Sequence, residues 1–279
     1  MSLMNPCKRF FHRIVWFFRL CGMTLSMCWR GYISHKGWSA LVHGIGLIVG
    51  YLGDYAVLYS MIMNFPGIAG FTALDVCFLY SMGLVCYALG NIHTREFWKI
   101  DDLVLRGGLD LYLVRPVSPL VQMFVRDIQV GYISHLILGL GCMFMVKGMS
   151  GIPWDMTHWL LFFFSILAGS VVMSGISLIA TPLSFWWGKS RSVTGFVRGG
   201  LRGTLKYPIT IYPKFIQILV FIIPYAFVAY YPCLYLLGKD TSAKAVLYPF
   251  LSMLVGIAVN FAFWVFWRMG LKRYNSAGG

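Results

Sequence analysis

The chain has 279 residues, 59% hydrophobic and 11% charged, with a mean hydropathy of +0.73. That leaves too little charge to clothe a soluble domain of this length and points to an integral membrane protein. The formal charge of +14 would suit nucleic acid, but the basic residues gather on one side of long apolar runs. Anionic lipid headgroups account for them, and nucleic acid is not required.

Residues 7–30 come first. As a helix they place Phe10, Phe11, Ile14, Phe17 and Phe18 on one face and Lys8, Arg9, His12, Arg13 and Arg19 on the other. This predicts an amphipathic helix lying in the interface. Arg13 and Arg19 interrupt what would be the apolar core of a signal peptide.

Continuous apolar runs follow near 38–61, 71–92, 128–147, 158–181, 209–231 and 245–267. Each meets the roughly 20 residues a helical span needs, and none alternates as a barrel strand would. The expected fold is all-α: a polytopic protein of six transmembrane helices forming a single domain over 1–279. In the first span Gly46 and Gly50 form a GxxxG pair suited to close helix packing, within or between subunits. Asp54 nears the outer water and Asp75 opens the second span; both are read as interface residues rather than a proton relay.

The longest polar stretch is 93–127. Residues 95–106 predict a short amphipathic helix, with Phe97, Ile100, Leu103 and Val104 on one face and Arg95, Lys99, Asp102 and Arg106 away from it. Gly107 and Gly108 end it, and Arg115-Pro116 and Ser118-Pro119 forbid a continuous helix into the third span. That span carries His135, for which a hydrogen bond to a neighbouring helix is expected. In the 182–208 segment Gly188-Lys189-Ser190 resembles the tail of a phosphate-binding loop, but Leu183 stands where that motif needs glycine and no strand precedes it. Pro224 should kink or break the fifth span; with Pro232 and Gly238 it suggests short re-entrant helices near the outer face. Gln217 and Asn260 either line an internal path, together with His135, or bond across helices.

With six spans, the N-terminus, 93–127, 182–208 and the C-terminus share one side. That side holds most basic residues, Arg198, Arg202 and Lys206 among them, whereas the other holds Lys147, Lys239 and Lys244. The positive-inside rule makes both termini cytoplasmic. The seven cysteines have neither disulfide nor zinc spacing and are read as small packing residues. No nucleophile motif, HExxH or paired carboxylates at helical spacing lie within a span, so no enzyme activity is expected of the chain.

Gly107–Gln122 reads GGLDLYLVRPVSPLVQ and Gly270–Ser276 reads GLKRYNS. The first resembles the G-x-L-D-x-x-L-x-R-P loop of ABC transporter permeases of the type-2 exporter class. Gly107, Leu109, Asp110, Leu113, Arg115 and Pro116 match it, while Gly108 stands where a polar residue is more usual. The second resembles the closing segment of the same family, and Tyr207-Pro208, Tyr212-Pro213, Pro224 and Pro232 are similar as well. The resemblance implies a permease half of an exporter in a bacterial cytoplasmic (inner) membrane; the charge-poor, aromatic-rich interior expected of the spans suits an amphiphile as its cargo. The resemblance implies no cofactor in this chain, ATP and Mg being bound by partner nucleotide-binding ATPase subunits, and a second permease copy or paralogue. Given such an ATPase partner, the 95–106 helix and the Gly107–Pro116 turn form the longest polar element joined directly to spans, so Lys99, Asp102, Arg106, Gly107, Gly108, Asp110, Arg115 and Pro116 are expected to couple the ATPase to the spans. An ion-coupled secondary transporter is the alternative, but it would show an internal repeat, and none is evident.

Overall fold

The computed structural model describes residues 45–60 and 70–275, with positions 19, 22, 23, 26, 27, 42 and 64. Apart from five of those positions, the expected interfacial helix at 7–30 lies outside the described residues. So do the start of the expected first span and its His43, for which, as for His135, a hydrogen bond to a neighbouring helix is expected.

Helix α1 (Ile45–Ser60) is apolar but short. Helix α2 (Ala73–Asn91) starts at a capping box, in which the Asp75 amide donates to the Thr72 hydroxyl and Thr72 donates back to the Asp75 carboxylate. A 3-10 turn (Arg95–Lys99) then leads through α3 (Ile100–Leu105), α4 (Asp110–Leu113) and α5 (Pro119–Arg126). Helix α6 (Ile133–Ser150) ends at Gly151, whose φ of 65° is the left-handed cap. Helix α7 (Met156–Ile179) starts where Asp155 accepts from the His158 amide. Beyond it come α8 (Ser184–Trp187), α9 (Arg191–Gly195), α10 (Lys214–Ile222), α11 (Tyr230–Leu236) and α12 (Tyr248–Arg273). Among the described residues there is no strand. Four helices there, built on α2, α6, α7 and α12, are long and apolar enough to cross a membrane.

Helix α7 is central, packing on both α2 and α12, while α6 packs on α2. Small residues permit the close approaches. A Cβ added at Gly90 would sit 2.6 Å from the Ser170 carbonyl oxygen and 2.9 Å from the Met173 Cβ. Neither neighbour can swing away, so Gly90→Val is expected to cost about 1–3 kcal/mol. A lower melting midpoint in detergent would show it. Gly50→Ala is the matched control, because a Cβ there meets nothing within 4 Å. The expected close packing at Gly46 and Gly50 is therefore absent within the described chain; Gly90, Gly139, Gly175 and Gly256 serve that purpose.

The run at 209–231 is broken at Pro224, as expected of it. It is a bent pair, α10 and Tyr225–Leu236, turning through 75° at Ile223-Pro224. Proline has no amide hydrogen to continue the ladder. The turn lies against Ile176 and Ile179 at the C-terminal end of α7. The chain then climbs back: the Val228 carbonyl packs on Gly169, Tyr235 stacks on His158 at 5.1 Å, and Lys239 pairs with Asp75 at 2.6 Å. The predicted break is present, at the end of α7 opposite the 148–157 loop.

A departure from expectation concerns the basic segment before it. A π turn (Phe196–Gly200) and a 3-10 turn (Arg202–Lys206) climb the side of α2. Arg198 lies 4.0 Å over Trp98, Arg202 lies 3.9 Å over Tyr87, and Lys206 reaches Tyr80 and Asp54. Tyr87 and Tyr80 are seven residues apart, or about 10 Å of helix. Lys206 therefore cannot share the charged end of the bundle with Lys99 while Asp54 nears the opposite surface, since their charged atoms are 2.7 Å apart. Aromatic faces and one carboxylate carry these bases up into the bundle, which a count of charges per loop cannot register.

Candidate functional site

The 95–126 module is built around one buried carboxylate. Glu96, 3% exposed, accepts from the Tyr112 hydroxyl at 2.5 Å and from Lys99 Nζ at 2.7 Å, with Arg126 Nε at 3.6 Å. Arg126 also donates to the Tyr112 oxygen and lies over its ring. Burial alone would raise the Glu96 carboxyl; Lys99, Tyr112 and Arg126 outweigh it and hold it below its ordinary value. Burial would likewise lower Lys99, but Glu96 and Asp127 raise it. Burial and Glu96 together push the Tyr112 phenol up.

Under this polar hub, Phe97, Ile100, Leu109, Tyr112 and Met123 share an apolar cluster with Leu178, Phe185, Phe263 and Trp267. The module is thus rooted on the ends of α7 and α12 and on α8. Asp101 adds a clip, accepting from both the amide and the hydroxyl of Ser190 at 2.8 Å. Ser190 of the Gly188-Lys189-Ser190 run therefore serves as a strut.

Of the residues singled out from the sequence, Lys99 turns inward to Glu96 and Asp127. Asp102 and Arg106 are exposed, and the Asp102 carbonyl accepts the Arg106 amide that closes α3. Gly107 makes the turn at φ 68°, a conformation that costs a side-chain-bearing residue energy. Gly108 has ordinary φ, and a Cβ there would come 3.1 Å from the Leu103 side chain. Asp110 faces the Tyr274 hydroxyl, which burial and that carboxylate push up. The two quoted stretches, at 107–122 and 270–276, also meet in the apolar cluster, which holds Leu109 and Tyr112 and has Leu271 and Tyr274 packed against it. Arg115 and Pro116 are exposed, and Arg115 forms no ion pair among the described residues. Glu96, Asp101, Tyr112 and Arg126 were not singled out. The available signal was Glu96 itself, one carboxylate between Arg95 and Lys99 beside buried-type aromatics.

The three candidate path residues are held apart. His135 is buried on α6 and bonds Tyr51 of α1 at 2.7 Å. Gln217 donates to the Tyr212 carbonyl just before its own helix, and Asn260 of α12 donates to Val171 of α7, each at 2.8 Å. None of them lines the cavity of about 470 Å³ between α1, α2 and the 199–206 segment, whose polar walls are Tyr51, Asp54, Tyr80, Tyr87, Arg202 and Lys206.

A family model described as ABC-2 family transporter protein matches residues 48–278. The chain belongs to the ABC-2 transporter family. It is accordingly a membrane-embedded ABC-2 permease, the match running from α1 through the module to the Asp110–Tyr274 contact. No curated protein and no solved structure matches it. Membrane proteins of this family generally work with ATPase subunits.

The permease should be acid-sensitive at this end. His93 packs on Phe124 and meets the Ser174 hydroxyl at 3.3 Å, and burial holds its imidazole at about 4, down from 6.5. Between those values the unfolded chain binds a proton that the folded chain does not, so stability falls as pH drops from 6.5 towards 4. The slope is at most about 1.4 kcal/mol per pH unit. Glu96 acts lower down: its contribution is full above its unfolded value of 4.5 and is lost as pH falls through its depressed folded value. Melting midpoints should decline from pH 7 to 5, and His93→Gln should flatten that decline. An unchanged slope in the variant would contradict this assignment.

Proposed function

We propose that the chain is the permease half of an ATP-driven exporter. It moves an amphiphile out of the cytoplasm or inner leaflet while separate nucleotide-binding subunits hold ATP and Mg. The 95–126 module and both termini are then cytoplasmic, and a second copy or paralogue completes the pathway. The membrane is the bacterial inner one on this reading.

One observation carries it. The module is fixed to α7 and α12 by its apolar cluster, yet it turns Leu111 and Val114 to solvent at 63% and 81% exposure. Exposed Arg106 and Arg115 flank them. An ATPase outside the membrane must push on something rigid and joined directly to spans. An apolar tip with a basic rim, on a base that cannot yield, has that form.

Coupling in the assembled, reconstituted complex tests the reading. Arg115→Ala removes an exposed side chain with no ion pair, so folding should be unaffected. Asp110→Ala removes the partner of Tyr274. Each should lower transport per ATP hydrolysed while leaving ATP hydrolysis itself in place. Unchanged coupling in both variants would remove the module from the transport mechanism.

A further inference from the structure

The 470 Å³ cavity holds more positive charge than its own walls neutralise. Asp54 is its one carboxylate among the described residues, and it is engaged twice, by Lys206 Nζ at 2.7 Å and by the Tyr80 hydroxyl at 2.7 Å. Arg202 has no carboxylate within ion-pair distance among the described residues. It donates one hydrogen bond there, to the Tyr51 hydroxyl at 2.8 Å, and lies on the Tyr87 ring. The Tyr51 hydroxyl, which accepts from Arg202, also shares a hydrogen bond with His135 Nε2 at 2.7 Å. A guanidinium carries five N–H donors in a planar fork, so most of the fork remains for something else. A ring face attracts the cation without offering a lone pair, which leaves the charge available to an anion. Four residues earlier, Arg198 repeats the arrangement over Trp98, so a second unneutralised base stands below the cavity.

The walls are also open. Gly46 and Gly50 on α1 face Gly199 and Gly203 across the space, and a Cβ at any of the four would meet nothing within 4 Å. Leu47, Leu84 and Leu205 add apolar wall. An unpaired base at the depth of a membrane span marks a site for ligand or counter-ion, and this volume lies within the ordinary range of ligand pockets.

We infer that this cavity binds the anionic group, phosphate or carboxylate, of an amphiphile, with Arg202 as its principal donor and Lys206 beside it. The basic ladder Arg198–Arg202–Lys206 gives such a group successive positions, from Trp98 of the 3-10 turn to Tyr87 and Tyr80 of α2. The inference deepens the exporter reading by naming the charge of its cargo, and its role in transport rests on that reading; the binding itself does not. It also replaces the expectation of a charge-poor interior.

Binding is measured on the full chain in neutral maltoside detergent, with dodecyl phosphate as the probe and no ATPase present. Dodecyl phosphate should quench or shift the tyrosine and tryptophan fluorescence saturably. Arg202→Gln should weaken its binding tenfold or more, and Lys272→Gln, at the exposed end of α12, should leave it unchanged. Gly50→Leu keeps every charge and fills the space, so it should weaken binding as much and carries the test if Arg202→Gln does not fold. Inorganic phosphate competing at similar concentration would identify a free anion as the natural occupant. Failure of phosphate to compete, with dodecyl phosphate still displaced by a phosphatidic acid vesicle extract, would identify a lipid headgroup. Either result supports the shared anion chemistry. Equal binding by wild type, Arg202→Gln and Gly50→Leu, all monodisperse, would overturn it. So would Gly50→Leu breaking a dimer while binding persists, because the cavity would then be an interface between copies. Anion binding by the wild type, with no ATP-dependent transport by its assembled complex, would fault the exporter reading alone.

Discussion

Glu96→Ala is expected to collapse the 95–126 module, lowering the melting midpoint in detergent and exposing the module to protease. Glu96 is 3% exposed and is the common acceptor for Tyr112 and Lys99, with Arg126 beside it. Removing one member of a buried charge network costs about 3–5 kcal/mol, because the partners are left without compensation. Lys99 and Arg126 are half-exposed and recover some hydration, so the low end of that range applies. At about 2–4 °C per kcal/mol for a domain of this size, the midpoint should fall by roughly 6–12 °C. Glu96→Gln still accepts from Tyr112 and should lose less. The Phe97–Trp267 contact at 5.6 Å gives a local readout, since tryptophan emission should shift red in Glu96→Ala. A midpoint unchanged to within a degree, with protection intact, would show that the carboxylate does not organise the module.

Those residues show which parts of the fold could be read from sequence. The long helices were legible because a bilayer demands a continuous apolar run, and α2, α6, α7 and α12 supply one each. The turn at Gly107 was legible because a positive φ selects glycine. The break at Pro224 was legible because proline ends a hydrogen-bond ladder. The basic segment before the fifth span was misread because hydropathy weighs each residue by itself. Arg198, Arg202 and Lys206 read as loop residues, whereas Trp98, Tyr87 and Tyr80, about a hundred or more positions earlier, supply the faces that hold them. The Glu96 hub was invisible for a similar reason. Its partners Tyr112 and Arg126 come from α4 and α5, and no periodicity within 95–106 announces them. The Asp110–Tyr274 contact lay between two stretches that carried the family resemblance separately.

The second large effect is expected at the tip of the module. Leu111 and Val114 are solvent-exposed in the isolated chain, so Leu111→Asp with Val114→Asp should leave its melting midpoint unchanged. If an ATPase subunit covers them, each forfeits up to about 1.5–3 kcal/mol of apolar burial. The double variant should then bind its ATPase more than about a hundredfold more weakly, at 1.4 kcal/mol per tenfold. Co-purification would be lost, and with it ATP-dependent transport. A double variant that retained its ATPase would mean that the subunit contacts some other face of the permease.

Cross-linking from Val114 tests the central claim most directly. In a background with the seven native cysteines replaced, Val114→Cys should cross-link to the co-expressed ATPase subunit, with a yield that changes between nucleotide-free and ATP-bound complexes. Thr241→Cys, exposed in the loop before α12 at the opposite end of the bundle, should not. Absence of a cross-link from Val114→Cys in an intact complex, or an ATPase cross-link from Thr241→Cys, would contradict the assignment of the module as the element through which the ATPase drives the spans.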